Sequence, residues 1–156
     1  MKEITKKGVM LSQMHQYVAK VHQGQFDRGG SPYILHVLKV LDYIDIDDEE
    51  LQCIALGHDT IEDTNTTSQD LKNIGMTERI VSGIVALTKI DGQTPDEYKS
   101  VVFSNRDAML VKICDLRHNS DLNRLKNVTE KDIERVRKYH NFSIEIVEKL
   151  VDATAF

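Results

Sequence analysis

Apolar residues recur at helical spacing along most of the chain. Met10, Met14, Tyr17 and Val21 form one stripe, Ile34, Leu38 and Leu41 a second, and Ile80, Ile84 and Leu87 a third. Such three- and four-residue intervals mark amphipathic helices. Helix starts stand between the stripes. Ser31-Pro32 and Thr94-Pro95 each offer a capping side chain followed by proline, which suits the first helical position. Asp47-x-x-Glu50, Thr67-x-x-Asp70 and Thr129-x-x-Asp132 have the spacing of a capping box, and Thr77 precedes Glu78. The pattern predicts helices from about Pro32 to Ile44, Asp47 to Glu62, Glu78 to Lys89, Asn105 to Lys126 and Thr129 to Val151. A short helix follows Thr67, and others cover Met10–Val21 and the segment after Pro95. No period-2 run is present, and residues 101–103 are too short to make a strand. The expectation is an all-α, single compact bundle of about seven or eight helices, with residues 1–156 as one domain.

Composition narrows this picture. Hydrophobic residues at 40% and charged residues at 29% fit a folded globular chain, not a disordered one. The net charge of −5, with no basic stretch, argues against a nucleic-acid backbone as partner. Positive charge for an anionic ligand would have to be concentrated at one site, and a metal ion supplies it most directly. Cys53 and Cys114 sit in apolar helical runs with no Cys-x-x-Cys, which reads as buried, reduced thiols. The opening MKEITKKGVM has no apolar run, so a secretory leader is not expected. No segment is long enough to span a membrane. The expected location is the cytoplasm; the sequence specifies no oligomeric state.

Ionisable residues on apolar stripes carry the chemical signal. Leu51, Ala55, His58 and Glu62 share one helical face, with Asp59 and Asp63 beside its polar end. On the later helix, Asp115 stands between Cys114 and Leu116, with His118 and Asn119 about one turn on. His36 interrupts the apolar segment between Leu35 and Val37. Burying such groups unpaired is costly. A divalent ion compensates them together: imidazoles and carboxylates ligate it, open positions remain for water, and bound water is acidified. Glu62 and Asp63 could then orient or deprotonate that water. His15, His22 and His140 lack partners at ligand spacing and read as surface or packing residues.

These residues form longer matches. His22-Gln23-Gly24-Gln25, Gly30-Ser31-Pro32-Tyr33-Ile34-Leu35-His36, His58-Asp59-Thr60-Ile61-Glu62-Asp63-Thr64, Leu87-Thr88-Lys89, and Val111-Lys112-Ile113-Cys114-Asp115 with His118-Asn119 occur in this order. Together they resemble the H…HD…D pattern of the HD-domain metal phosphohydrolases. More narrowly, they resemble the hydrolase domain of the Rel/SpoT alarmone enzymes and the stand-alone small alarmone hydrolases. The resemblance implies one manganese-like ion held by His36, His58, Asp59 and Asp115, with iron, zinc or cobalt also compatible with the ligand types. It implies Glu62 and Asp63 as catalytic acids that position water. Asn119 would contact the substrate. Arg28 is a candidate to neutralise phosphate charge, with Lys112 and Arg117 as weaker ones.

The activity so implied is removal of the 3′-pyrophosphate from guanosine tetra- or pentaphosphate, a small-molecule nucleotide. Departures bear on the substrate. At the basic pair that precedes the G-x-P-Y segment in the family, this chain has Asp27 and Arg28, and an acid cannot stack on a base as a guanidinium does. Val37 replaces the proline usual after the first histidine, and Leu116-Arg117 replaces Arg-Leu. The alternatives are an HD phosphohydrolase for another nucleotide (an adenosine alarmone, NADPH or a nucleoside phosphate) and a non-catalytic nucleotide sensor.

Overall fold

Side-chain caps fix where most of the helices begin. The computed structural model describes residues 6–154; residues 1–5, on which the leader expectation partly rests, lie outside the described residues. Helix α1 spans Val9–Val21 and α2 spans Ile34–Asp42. Asp48, one residue past the expected cap Asp47, accepts the Leu51 N–H and opens α3, Glu49–Gly57; α4 is a single turn, Thr60–Asp63. Reciprocal capping boxes, Thr67 with Asp70 and Thr94 with Glu97, open α5, Ser68–Asn73, and α7, Pro95–Phe103. Thr77 caps α6, Glu78–Leu87, and Asn105 caps α8, Arg106–Asn119. A 3-10 turn at Leu122–Arg124 leads to α9, Glu130–Thr154. Among the described residues there is no strand; Phe26 and Pro32 form one isolated bridge. No described helix is long and apolar enough to cross a membrane.

Helix α3 is the centre of the bundle. Leu51, Cys53, Ile54, Ala55 and Leu56 are all buried, so it is apolar on every side, as a helix enclosed by others must be. Helices α1, α2, α6 and α8 surround it. Each fully buried large aliphatic side chain contributes roughly 1.5–3 kcal/mol of transfer free energy. Gly57, the last residue of α3, leaves no room for a side chain: a Cβ there would stand 2.8 Å from Met14 Cε and 2.9 Å from Ile84 Cδ1. Arg79, in the first turn of α6, donates to Asp107 at 2.9 Å and to Asp48 at 2.7 Å, tying the starts of α3, α6 and α8 together. Helix α9 lies along α8, with Phe142 and Ile146 buried.

Three expected boundaries differ. The helix expected from Asp47 to Glu62 is broken at His58-Asp59, which gives nine α-helices among the described residues. Thr60 Oγ1 donates to the Gly57 carbonyl at 2.8 Å, taking an acceptor from the helical ladder and turning the chain. The helix expected to reach Lys126 stops at Asn119: Asp121 turns extended and its side chain accepts the Asn123 N–H at 3.0 Å to open the 3-10 turn, so Leu122 and Leu125 are not on its face. Ser31 does not cap α2, and Pro32 precedes the helix; both instead belong to a tight loop in which Asp27 N–H donates to the Ser31 carbonyl at 2.9 Å and Tyr33 N–H to the Gln25 carbonyl at 2.8 Å. Cys53 is buried as expected, whereas Cys114 is only partly so.

This loop abuts the turn that follows α8. A Cβ on Gly29 would meet the Arg124 carbonyl oxygen at 1.8 Å, a backbone atom that cannot swing aside. Gly29→Ala is expected to part the two segments and cost about 1–3 kcal/mol by overpacking. Thermal unfolding checks this: a melting temperature equal to that of the unsubstituted protein would contradict the contact.

Candidate metal centre and its cleft

The break after α3 turns His58 and Asp59 into the space between α2 and α8. There they meet His36 from the first turn of α2 and Asp115 from the middle of α8. His58 Nε2 lies 3.0 Å from Asp59 Oδ2 and 3.4 Å from Asp115 Oδ1. His36 Nε2 lies 3.1 Å from Asp115 Oδ1 and 3.5 Å from Asp59 Oδ2. One donor atom from each of the four residues falls within 4.8 Å of the others. Both histidines are 2% exposed, and neither Nε2 has a hydrogen bond.

The surrounding hydrogen bonds orient these donors. His58 Nδ1–H donates to the Ala55 carbonyl at 2.7 Å, which leaves the Nε2 lone pair for the centre. His36 Nδ1 is 2.8 Å from Nδ1 of His118. Tyr33 O–H donates to Asp59 Oδ2 at 2.6 Å, Lys112 Nζ to Asp115 Oδ2 at 2.8 Å, and Asn119 Nδ2 to Asp115 Oδ1 at 2.8 Å. Burial works to raise the Asp115 carboxyl, but the Lys112 ammonium and the two imidazoles outweigh it and hold it well below the ordinary carboxylate range. Burial likewise opposes ionisation of Asp59, and the adjacent His58 outweighs it in the same direction. Burial depresses the imidazoles of His36 and His58, but the facing carboxylates raise both overall. The site therefore draws positive charge. Buried nitrogens without a hydrogen bond, two carboxylates and the fixed tautomer of His58 fit a divalent cation bound by mixed N and O donors.

Glu62 and Asp63, on the α4 turn, flank the centre, and each offers an oxygen within 4.8 Å of an Asp59 oxygen. Lys89 N–H donates to Glu62 Oε1 at 2.7 Å, so the segment after α6 holds one oxygen and leaves the other open. Gln25 Nε2 donates to the Asp63 carbonyl at 2.9 Å, and Gln25 Oε1 is 2.8 Å from Nδ1 of the buried His22. Desolvation, with Asp59 nearby, raises the carboxyls of both Glu62 and Asp63.

Beside the centre opens a cleft of about 380 Å³, which Tyr33, Asp63 and Asn119 share with it. Its outer wall carries Arg28, Arg124 and Arg135, with Phe26 and Tyr139. Asp27 Oδ2 accepts from Arg124 Nη2 at 3.1 Å, and its Oδ1 accepts the Ser31 N–H at 2.9 Å. Burial opposes the charge on Asp27, but Ser31 and Arg124 prevail and lower its carboxyl. Arg124 also donates to Asn119 Oδ1 at 3.1 Å. Asp132 holds Arg135 at 2.9 Å and lies 3.9 Å from Arg28. A more open groove of about 480 Å³, by Gln13, Gln16, Lys20 and Asn73, has no such ionisable cluster.

No family model matches the chain. The guanosine-3′,5′-bis(diphosphate) 3′-pyrophosphohydrolase MESH1 of Danio rerio is 33% identical over 146 residues, covering 86% of this chain and 80% of that protein. The chain belongs to the Rel/SpoT-like HD-domain hydrolases. The Myxococcus xanthus GTP pyrophosphokinase is 32% identical over 126 residues and the Haemophilus influenzae guanosine-3′,5′-bis(diphosphate) 3′-pyrophosphohydrolase 34% over 111; this chain spans only 16% of the length of each. A solved structure, described as a metazoan ortholog of SpoT that hydrolyzes ppGpp, shares the fold with a TM-score of 0.71 at 24% identity, over 91% of this chain and 85% of that one.

Of the residues singled out in the sequence of this family member, His36, His58, Asp59 and Asp115 converge, and Glu62 and Asp63 adjoin them. Asn119 and Arg28 line the cleft. Lys112 and Arg117 do not line it. Lys112 is turned inward to Asp115 and the Tyr98 ring, and the exposed Arg117 lies 4.0 Å over the Tyr43 ring. His15 and His140 are exposed, and His22 packs against Tyr33 at 5.3 Å between ring centroids. Sequence reasoning named Tyr33 and His118 within the matching segments but gave them no role, and it did not single out Arg124 or Arg135. The signal for Arg124 was Asp27 itself, since a charge reversal at a site position calls for a new partner.

Lys112 is the balancing cation for the two carboxylates, and its own ammonium is raised: burial depresses it, but the Asp115 charge prevails. In chelator-treated protein, Lys112→Met is expected to destabilise by about 3–5 kcal/mol, the cost of stripping one partner from a buried pair. Adding a divalent cation should recover part of that loss. Denaturant unfolding with and without the ion checks this, and an unchanged midpoint without the ion would contradict the balancing role.

Proposed function

We propose that the chain is a metal-dependent pyrophosphohydrolase that removes the 3′-pyrophosphate from guanosine tetra- or pentaphosphate. The carrying observation is the cluster of His36, His58, Asp59 and Asp115 beside an arginine-walled cleft. The names of the relatives from Danio rerio and Haemophilus influenzae support the same reaction. His36, His58, Asp59 and Asp115 would hold one divalent ion, Mn2+ in our reading. Bound there, the ion supplies Lewis-acid charge to a phosphate and lowers the pKa of water.

The chain's own groups do the rest. Glu62, with one oxygen pinned by the Lys89 N–H, has its other oxygen free to take a proton from the attacking water, with Asp63 beside it. Its raised carboxyl makes it a better base than an exposed glutamate. Arg28 and Arg135 both line the cleft, each near Oδ1 of Asp132, and balance phosphate charge as it redistributes in the in-line displacement. Asn119 contacts the ribose or phosphate region, and its amide is already oriented by Asp115 and Arg124. A second reading, a nucleotide with a different base, is favoured by one observation. Asp27 is committed to Arg124, whereas Phe26 next to it is 66% exposed and offers an aromatic face to any base.

Phosphate and pyrophosphate release by Mn2+-loaded protein should be measured against guanosine tetraphosphate, its adenosine analogue, NADPH and nucleoside phosphates. Pyrophosphate is expected from guanosine tetraphosphate. Release from another nucleotide alone selects the second reading, and release from none in protein that binds metal contradicts both. Glu62→Gln should keep the metal and lose about 10²–10⁴-fold in turnover, whereas Asp59→Ala should lose both.

A further inference from the structure

The two buried imidazoles of the centre are held in different ways. His58 gives its Nδ1–H to the Ala55 carbonyl, a main-chain acceptor that side-chain substitution does not remove. His36 relies on a side chain. Its Nδ1 lies 2.8 Å from Nδ1 of His118, and the two rings are almost parallel, 16° apart with centroids separated by 5.0 Å. Two ring nitrogens at that distance share one proton. Neutral imidazole carries its proton on one nitrogen and a lone pair on the other. A His36 Nε2 that gives its lone pair to a cation therefore requires the proton on His36 Nδ1, and this makes His118 Nδ1 the acceptor.

We propose that His118 is a positioning residue, whose Nδ1 accepts the His36 Nδ1–H and so fixes the tautomer and ring plane that aim His36 Nε2 at the metal centre. This rests on the reading of His36 as a ligand. The acceptor is well supported. His118 lies in the last turn of α8, three residues after Asp115, and its carbonyl accepts from Arg124 Nη1 at 3.0 Å. The ring of Tyr43, at the end of α2, meets it edge-on with centroids 6.3 Å apart. One stretch of α8 thus provides a donor, Asp115, and the support for a donor on another helix. Adjacent Asn119 has the matching task, since its amide fixes Asp115 Oδ1. His118 and Asn119 orient one donor each, so the spacing of Asp115, His118 and Asn119 is the spacing of a ligand and two supports.

The test reads metal affinity without substrate. Mn2+ is titrated into chelator-stripped protein, and the free ion is followed by electron paramagnetic resonance, for the unsubstituted chain, His118→Phe and His118→Asn. Phenylalanine keeps a ring but cannot accept; asparagine offers an acceptor oxygen near the Nδ1 position. His118→Phe is expected to weaken binding by about 10–100-fold, the range for lost support of a metal-bound histidine, and His118→Asn to remain within a few-fold of the parent. Circular dichroism melts of the stripped proteins confirm that all three are folded. Unchanged affinity in His118→Phe overturns the proposal. So does equal weakening in both variants, which would assign the loss to packing. An unsubstituted chain that binds no Mn2+ removes the ligand reading itself, and the proposal with it.

Discussion

Two carboxylates and two imidazoles enclosed between three helices form an arrangement that an apolar interior does not tolerate without a counter-charge. Asp59 and Asp115 are buried side by side, with one fixed cation, Lys112, against them. The carboxylates raise the facing imidazoles, so the centre takes up protons when no cation compensates it. A divalent cation does the same work with more charge and without a proton. Much of the surrounding structure follows from this constraint. Tyr33, Lys112 and Asn119 are spent on the carboxylates, and Ala55 and His118 on the imidazoles.

The bundle exists to hold that arrangement at one edge of its core. Helix α3 is buried on all sides until Gly57, and the chain turns at His58-Asp59, so that an apolar element ends in polar chemistry. Gly57 lets α1 and α6 close over the end of α3, and Arg79 ties the far ends of α3, α6 and α8. The four converging donors thus come from α2, the break after α3, and α8, whereas the cleft wall comes from a loop, a 3-10 turn and α9.

Local features of the fold were legible in the sequence because they rest on local physics. The capping boxes at Thr67 and Thr94, and the cap at Thr77, involve atoms within three residues of each other. The ends of the third helix and of α8 were not legible. Leu51, Ala55, His58 and Glu62 keep helical spacing across the break, as Leu122 and Leu125 do past Asn119. Periodicity cannot register the Thr60 hydroxyl that occupies the Gly57 carbonyl, or the extended Asp121 whose side chain caps the turn after α8. At the site, residue types on apolar faces and the family resemblance together named the converging donors. The direction of Lys112, inward to Asp115, and the approach of Arg124 to Asp27 depend on contacts between distant segments, and no spacing along the chain encodes them.

One cation shared by His36, His58, Asp59 and Asp115 would show in anomalous diffraction from crystals of the Mn2+-loaded protein, recorded at the manganese absorption edge. A single strong peak per chain is expected, with Nε2 of His36 and His58 and a carboxylate oxygen each from Asp59 and Asp115 at about 2.0–2.3 Å. A peak elsewhere in the molecule, or the four side chains hydrogen-bonded to one another with no peak between them, would contradict it.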